Sequence, residues 1–175
     1  MVPRPLRELV ATAEARRRGV PAPEVLAARI DGGLVYRGVL VTAELRGAAT
    51  LLEALRRASD AGARRALARR AGQAVGVLHR AGIFHADLNP TNLLVHPGRD
   101  GDEVAVVDFD RARVSAMPLG ARARRRNLAR LARSLAKHDL DGTLASAEIQ
   151  RAFCAAYAEA PVGEPRFALE ATCVS

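Results

Sequence analysis

Residues 85–110, with the sequence HADLNPTNLLVHPGRDGDEVAVVDFD, carry the strongest structural signal in this chain. Polar residues open the stretch, and two apolar runs at 93–95 and 104–107 follow, separated by a segment rich in proline and glycine. Apolar runs of this length around turn-forming residues predict a β-hairpin. Because a hairpin returns the chain towards its start, we expect Asp108, which follows the second run, to lie beside Asn92.

The polar residues of this stretch have the composition that phosphoryl transfer requires. Asp87 precedes Asn92 by five residues in the pattern H-x-D-x-x-x-x-N, close enough for one to face an acceptor hydroxyl while the other reaches a metal. Phosphoryl transfer depends on positioning and charge neutralisation, and Mg²⁺ prefers oxygen ligands. Asn92 and Asp108 would be enough protein ligands for a Mg²⁺ ion if nucleotide phosphates completed its coordination.

An ordinary β-hairpin with incidental polar residues is the alternative interpretation. A histidine near one carboxylate is more often a satisfied core pair than a catalytic group. Here histidine, aspartate, asparagine, the hairpin and the Asp-Phe-Asp ending at 108–110 coincide. This structural context favours the phosphoryl-transfer site.

Composition predicts a single globular domain. The chain has 175 residues, of which 49% are hydrophobic and 26% charged, values typical of globular rather than disordered proteins. No signal peptide and no apolar run near the length of a membrane span is evident. We therefore expect a cytoplasmic protein, at most peripheral on the cytoplasmic face of the inner membrane.

The net charge of +8 indicates an anionic partner, because such a field concentrates negative ligands. Nucleic acid is disfavoured as that partner, since aromatic residues, which supply stacking platforms, make up 3% of the chain. A phosphorylated substrate and an acidic membrane surface fit the charge better. The alternative is that the charge reflects only an arginine-rich composition, with the arginines on solvent-exposed faces that bind no partner.

Hydrophobic periodicity outside the hairpin predicts mainly helices. One strand is predicted at 34–41, followed by a linker between two lobes, and the tail after Pro161 is predicted to be irregular. The predicted helices cover residues 5–18, 51–58, 63–81, 124–137 and 145–158.

The predicted helix at 124–137 separates into an apolar stripe of leucines and a row of arginines. Arg126, Arg130 and Arg133 recur at helical spacing beside the leucines. These arginines form either a platform for phosphates on the acceptor or lipid headgroups, or an ordinary solvated helix face.

Four blocks of sequence resemble the lipopolysaccharide kinase family, most closely the 3-deoxy-D-manno-octulosonic acid (Kdo) kinases. Asp-Phe-Asp in place of the Asp-Phe-Gly of protein kinases is itself a mark of that family. The blocks are 4–8 with 19–23, 34–37 with 42–47, 85–92, and 108–110 followed by 126–131.

The resemblance implies an α+β, protein-kinase-like fold, mostly the helical C-lobe with a truncated N-lobe. A single kinase-like domain would cover residues 1–175. It would comprise a partial N-lobe at 1–41, a hinge at 42–47 and the C-lobe at 48–175.

The resemblance also implies roles for individual residues. Asp87 would be the catalytic base, Asn92 and Asp108 would hold Mg²⁺, and His85 would brace the Asp108 loop as scaffolding. ATP would be the donor, and Kdo attached to lipid A or a related core sugar the acceptor, so that the partner is a lipid-linked or small sugar.

Two more of the implied roles concern the nucleotide. Glu8 would be the carboxylate that pairs with a basic residue contacting the nucleotide phosphates. Glu44 and Leu45 would offer backbone groups to adenine.

The sequence departs from the kinase pattern before Glu8, where a glycine-rich hairpin and a strand carrying the basic partner are expected. Lys137 is the only lysine and lies far downstream, so Arg4 or Arg7 would have to serve as that partner. We expect a truncated gene model, or else poor nucleotide affinity.

A second departure lies between Asp110 and the basic helix, where too few residues remain for a peptide-docking platform. Asn89 stands where protein kinases generally have a lysine. Protein substrates are therefore disfavoured relative to a small or lipid-linked acceptor.

Three functions remain open from the sequence. The first is an ATP-dependent kinase acting on a lipopolysaccharide core sugar at an anionic membrane surface. The second is a soluble small-molecule phosphotransferase of the aminoglycoside or choline kinase type, and the third is a non-catalytic remnant that binds a partner through the arginine helix. The oligomeric state is not predicted.

Overall fold

A computed structural model describes residues 3–32, 36–139 and 141–161, for Tyr36 the backbone alone. In these ranges five helices accompany three small antiparallel sheets. The helices are α1 (Arg4–Arg17), α2 (Leu51–Arg57), α3 (Ala61–Arg80), α4 (Ala121–Ala136) and α5 (Ala147–Glu159). The strands are β1 (Val25–Gly32), β2 (Tyr36–Thr42), β3 (Ala49–Thr50), β4 (Ile83–Phe84), β5 (Leu93–Gly98), β6 (Gly101–Val106) and β7 (Arg113–Val114).

Helix α1 packs on the antiparallel pair β1–β2. Pro5 lies in the first turn of α1, where its missing N–H costs no helical hydrogen bond. Gly38 of β2 allows the Pro5 ring to approach the strand closely, because an added Cβ would lie 2.9 Å from Pro5 Cδ and closer still to Cγ. This contact positions the first turn of α1 against the sheet.

The sequence did not predict β1. Its residues are mostly exposed, with Leu26 at 60% exposure, so the segment lacks the apolar alternation that marks a half-buried strand. Pairing with β2, in which Ile30 lies opposite Gly38, creates the strand. The predicted strand at 34–41 is observed from Tyr36 to Thr42, and its first two residues lie outside the described ranges.

The helical core is centred on α3, which packs more extensively against α5 than against any other described element. Two glycines of α3 permit this close packing: an added Cβ on Gly76 would lie 2.8 Å from the Tyr157 carbonyl oxygen, and one on Gly72 would meet the Phe153 backbone. Such contacts leave no room for a side chain. The side chains that fill the core with almost no exposure include Leu55, Leu78, Ile83, Leu88, Leu93, Val106 and Phe109.

The predicted hairpin is present as β5 and β6. Leu93 lies opposite Val106, and Gly101 completes the turn with a φ of 105° that favours glycine. The Val106 N–H donates to the Pro21 carbonyl at 2.7 Å, which joins the segment after α1 to the hairpin. Strand β3 extends this sheet on the β5 side.

The predicted helices are all confirmed, with small shifts at their ends, and side-chain caps mark the starts of α2, α3 and α5. Helix α3 begins at Ala61 because the Asp60 side chain accepts the Ala63 N–H at 2.8 Å, and Ser146 caps α5 in the same way. Helix α4 begins three residues earlier than predicted, directly after Gly120. The tail predicted to be irregular lies, from residue 162, outside the described ranges.

Candidate active site

The loop from Asp87 to Asn92 is shaped by the side chain of Asn89. Asn89 Oδ1 accepts hydrogen bonds from the Thr91 N–H at 2.8 Å, the Thr91 hydroxyl at 2.6 Å and the Asn92 N–H at 3.1 Å. Asn89 Nδ2 donates to the Asp87 carbonyl at 3.0 Å. These local bonds form an Asx turn, so Asn89 acts within the loop and contributes no charge to the site.

Asn92 connects the loop to the end of the hairpin. Its Nδ2 donates to the Asp87 carbonyl at 3.0 Å, and its own carbonyl accepts the Val107 N–H at 3.0 Å. Asp108 follows directly, with an exposed side chain. The fold therefore brings Asp87, Asn92 and Asp108 to one edge of the molecule.

The oxygen donors at this edge suit Mg²⁺. The amide nitrogen of Asn92 is engaged by the loop, which leaves its Oδ1 available as a metal ligand, and Asp108 could add a carboxylate. Magnesium binds through one or two such protein oxygens together with phosphates and water. Within the described residues no group of three or more histidine, cysteine or acidic side chains is arranged to hold a metal by itself, so substrate phosphates would have to complete the coordination.

Asp108 has an unusual backbone conformation, with a φ of 62°. Among the described residues it is the only non-glycine residue with a positive φ. Its neighbours hold it there: His85 Nε2 donates to the Val107 carbonyl at 2.9 Å, and Phe109 is 1% exposed. Backbone strain maintained by its surroundings is typical of functional sites.

His85 braces this segment in the neutral form. Burial lowers the pKa of His85, outweighing the hydrogen bond to Val107 and the nearby carboxylates of Asp108 and Asp87. Its Nδ1 is buried and has no hydrogen-bond partner in the described part of the chain. This environment fits the scaffolding role expected for His85.

Asn127 of α4 fixes the start of the loop that carries Asp87. Its Nδ2 donates to the His85 carbonyl at 2.7 Å, and its Oδ1 accepts the His85 N–H at 3.2 Å. Asn127 is 1% exposed, so both bonds are shielded from water. One buried amide thus satisfies both backbone groups of His85, which costs far less than leaving them unpaired.

A hydrogen-bond relay extends from Asn127 through His79 to α5. Asn127 Oδ1 accepts from His79 Nε2 at 3.1 Å, so His79 carries its proton on Nε2. His79 Nδ1 then accepts from the Tyr157 hydroxyl at 2.9 Å. This chain of bonds joins α3, α4 and α5 to the loop that carries Asp87.

Helix α1 brings its N-terminal half against the Asp-Phe-Asp segment. Arg4 Nε lies 2.9 Å from Asp110 Oδ2, and the Asp110 side chain is buried. Burial raises the pKa of Glu8, the charges of Asp108 and Asp110 raise it further, and Arg4 opposes them. Glu8 is therefore close to Asp108, the predicted metal ligand, and its contact with a nucleotide site stays a prediction.

Glu44 and Leu45 lie in the loop between β2 and β3, within the predicted hinge. The Glu44 side chain is exposed, and the Leu45 carbonyl accepts the Ala48 N–H at 3.1 Å. Their predicted contact with adenine remains a prediction.

Arg130 of α4 is the cation beside Asp87. Its guanidinium forms a direct ion pair with Asp87 Oδ1, and both side chains are about half exposed, at 49% and 46%. An exposed ion pair of this kind contributes only about 0–1 kcal/mol to stability. Its significance is positional, because it places a positive charge next to the predicted catalytic base.

A model of the lipopolysaccharide kinase (Kdo/WaaP) family matches residues 1–157. The chain belongs to this family. The family predicted from the four sequence blocks is thereby confirmed.

Two relatives illustrate the similarity within the family. The 3-deoxy-D-manno-octulosonic acid kinase of Xanthomonas axonopodis pv. citri (strain 306) is 41% identical over 133 residues, covering 75% of this chain and 47% of the relative. The enzyme of the same name from Xylella fastidiosa (strain M12) is 35% identical over 134 residues, with the same coverage of 75% and 47%. The chain spans about half the length of the curated relatives it matches.

Two solved structures support the fold. WaaP, solved in complex with acyl carrier protein, matches with a TM-score of 0.66 and 24% identity, covering 89% of this chain and 66% of that one. Rio2 kinase from Chaetomium thermophilum, solved as an ADP/Mg²⁺-phosphoaspartate complex, matches with a TM-score of 0.51 and 16% identity, covering 89% and 53%. The protein-kinase-like fold is confirmed, whereas the lobe boundaries at 41, 42–47 and 48 stay predictions.

The sequence did not identify the functional contacts of Asn127, Arg130 and Asp110. Asn127 lies in a block that resembles the family, but spacing alone does not reveal that it binds the His85 backbone 42 residues away. The arginine periodicity of the basic helix predicted a charged face that includes Arg130. It did not reveal which arginine meets Asp87.

We expect acid to destabilise the fold through His79. Burial is the main cause that lowers the pKa of His79 from 6.5 to about 4, so at intermediate pH the unfolded chain binds a proton that the folded chain rejects. The contribution of His79 to the free energy of unfolding is therefore fully present above about pH 6.5. It is lost as the pH falls towards 4, by about 3 kcal/mol in total. Urea denaturation between about pH 7 and 5, where carboxylates in the unfolded chain stay largely ionised, measures this slope.

His79→Gln should make that dependence shallower, since glutamine does not titrate. The lowered pKa of His85 acts in the same direction and leaves a residual slope. An identical slope in the variant and the parent would show that His79 is not the titrating group.

Proposed function

We propose that this chain carries the phosphoryl-transfer centre of an ATP-dependent kinase that phosphorylates a hydroxyl of Kdo or a related core sugar of lipopolysaccharide. The convergence of Asp87, Asn92 and Asp108 at one edge, in a member of this family, carries the proposal. The relatives described above are Kdo kinases, which supports a sugar acceptor that is lipid-linked or small.

Asp87 acts as the catalytic base in this proposal. Its carboxylate orients the acceptor hydroxyl and takes its proton as the hydroxyl oxygen bonds to the terminal phosphorus of ATP and ADP leaves. The half-exposed carboxylate is open to a substrate, while hydrogen bonds from Asn89 and Asn92 to the Asp87 carbonyl hold the backbone.

Asn92 and Asp108 hold Mg²⁺ with oxygen atoms. When bound, the ion supplies charge neutralisation to the nucleotide phosphates. Glu8, close to Asp108, belongs to the phosphate side of the nucleotide site, and Glu44 and Leu45 offer backbone groups to adenine.

We also propose that the protein associates with the cytoplasmic face of the inner membrane. In the described segments, no helix is both long and apolar enough to cross a bilayer. Exposed arginines along α4 supply the charge that attracts anionic lipid headgroups.

A soluble kinase of the aminoglycoside or choline type shares the H-x-D-x-x-x-x-N spacing of this loop. Such an enzyme would be expected to place acidic residues beside the acceptor. The Asp87 side of this molecule is instead lined by arginines of α4. That charge favours an anionic, lipid-linked acceptor.

Asp87→Asn in the full chain should lower kcat by about 10²–10⁴-fold, because asparagine cannot accept the proton. Nucleotide affinity should change little, since Asp87 does not hold the metal. Transfer of labelled phosphate from ATP to a Kdo acceptor measures kcat, and a nucleotide titration measures affinity. Asp102→Asn, the same chemical change on exposed β6, is the matched control; equal losses of kcat and affinity would remove Asp87 from the role of base.

Asp108→Asn should weaken nucleotide binding only where Mg²⁺ is present. Loss of the carboxylate removes a charged metal ligand and should reduce the Mg²⁺-dependent gain in affinity by about tenfold or more. Titration of a fluorescent ATP analogue with and without Mg²⁺ tests this, again beside Asp102→Asn. If the gain survived in full, Asp108 would not be a metal ligand.

The membrane proposal predicts binding to anionic vesicles that weakens with salt. Co-sedimentation with vesicles of anionic lipid should be strong at about 0.05 M salt and largely lost at about 0.5 M, because the Debye length shrinks. Vesicles of neutral lipid are the control. Absence of sedimentation with anionic vesicles would favour the soluble small-molecule kinase.

A further inference from the structure

We propose that the cleft beside Asp87 is a subsite for an oxyanion, a carboxylate or a phosphate, carried by the acceptor. This inference rests on the proposed function and adds to it the chemical group by which the acceptor is recognised. The arginine cleft, as we call it, has a volume of about 360 Å³ and is lined mainly by Phe84, Arg122, Arg125, Arg126, Arg130 and Arg133. Its size falls within the range of small-molecule sites, about 300–1,000 Å³.

Helix α4 builds one wall of the cleft by its periodicity. Arg122, Arg126, Arg130 and Arg133 follow each other at intervals of four, four and three residues, which places them along one face of the helix. The opposite wall comes from Phe84 and Ala86, directly before Asp87. The cleft is thus continuous with the candidate active site.

Positive charge in the cleft is largely uncompensated. Arg130 pairs with Asp87, whereas the other four cleft arginines have no carboxylate within ion-pair distance among residues 3–32, 36–139 and 141–161. Like charges in one cleft repel each other, and an oxyanion that enters relieves this repulsion. A neutral sugar offers no such gain.

The Phe84 ring orients the guanidinium group of one cleft arginine, Arg126. The guanidinium groups of Arg126 and Arg113 lie 5.6 and 5.5 Å from its ring centroid. A guanidinium stacked on an aromatic ring is pre-oriented and loses less conformational freedom on binding. Arg126 is therefore ready to bind a carboxylate or phosphate with two parallel hydrogen bonds.

Arg130 relates this subsite to the chemistry. It lines the cleft and contacts the Asp87 carboxylate, so the bound oxyanion lies close to the hydroxyl that Asp87 would orient. An acidic sugar fixed at both points would be oriented for transfer, which is the usual use of substrate-binding energy. The acceptor is accordingly a sugar that carries an acidic group near the reacting hydroxyl.

Isothermal titration of the full chain, without nucleotide, tests the subsite with three sugars. These are the methyl glycoside of Kdo, which carries a carboxylate, its neutral carboxamide, and glucosamine 1-phosphate. We expect at least one anionic sugar to bind about tenfold or more tightly than the carboxamide, equivalent to about 1.4 kcal/mol. Preference for the Kdo glycoside assigns the carboxylate of the acceptor sugar as the ligand, and preference for the phosphosugar assigns a phosphate on the acceptor.

Arg122→Gln combined with Arg126→Gln should reduce that preference to about threefold or less. The matched control combines Arg69→Gln with Arg151→Gln, which removes the same charge from exposed helix positions away from the cleft. Unchanged melting temperatures establish folding. If the double variant is destabilised, Arg122→Gln alone, which has no ion-pair partner in the described chain, should still reduce the preference.

Equal affinity of the parent for the carboxamide and both anionic sugars would overturn the inference, as would an equal loss in the control pair. Since nucleotide is absent, this result is independent of the transfer assay with Asp87→Asn. Failure of transfer with intact anion preference would refute the proposed kinase function and not the binding of an oxyanion in the cleft.

Discussion

The hydrogen bonds between the Asn127 amide and both backbone groups of His85 are the constraint on which the candidate site depends. They are buried, so replacing Asn127 would leave an N–H and a carbonyl unpaired where water is scarce. The same amide accepts a hydrogen bond from His79, which in turn accepts one from the Tyr157 hydroxyl. These bonds couple the loop to α3 and α5. The position of Asp87 is consequently determined by the helical core rather than by the loop alone.

Charge is divided across the site in a way that suits two different ligands. Glu8, Asp108 and Asp110 crowd one side, where burial and, second to it, repulsion by the two aspartates raise the pKa of Glu8, and a divalent cation would be stabilised there. Arginines of α4 occupy the other side, where Arg130 meets Asp87. A metal-bound nucleotide and an acidic acceptor would thus approach Asp87 from regions of opposite charge.

Much of the fold could be predicted from local pattern, and the exceptions have physical causes. All five helices were predicted because apolar periodicity and capping residues are local signals. Strand β1 was missed because its exposed residues carry no alternation and depend on pairing with β2. The short strands β3, β4 and β7 consist of two residues each, too few to leave any pattern.

The loop and hairpin that carry Asp87, Asn92 and Asp108 could be predicted from the sequence alone, because a short turn and a hairpin have local geometry. The surroundings of that loop depend on the packing of distant segments. The contacts of Asn127 with His85 and of Arg130 with Asp87 span 42 and 43 residues, and that of His79 with Tyr157 spans 78. Contacts at such separations arise when helices pack into one core, and no spacing rule along the chain specifies them.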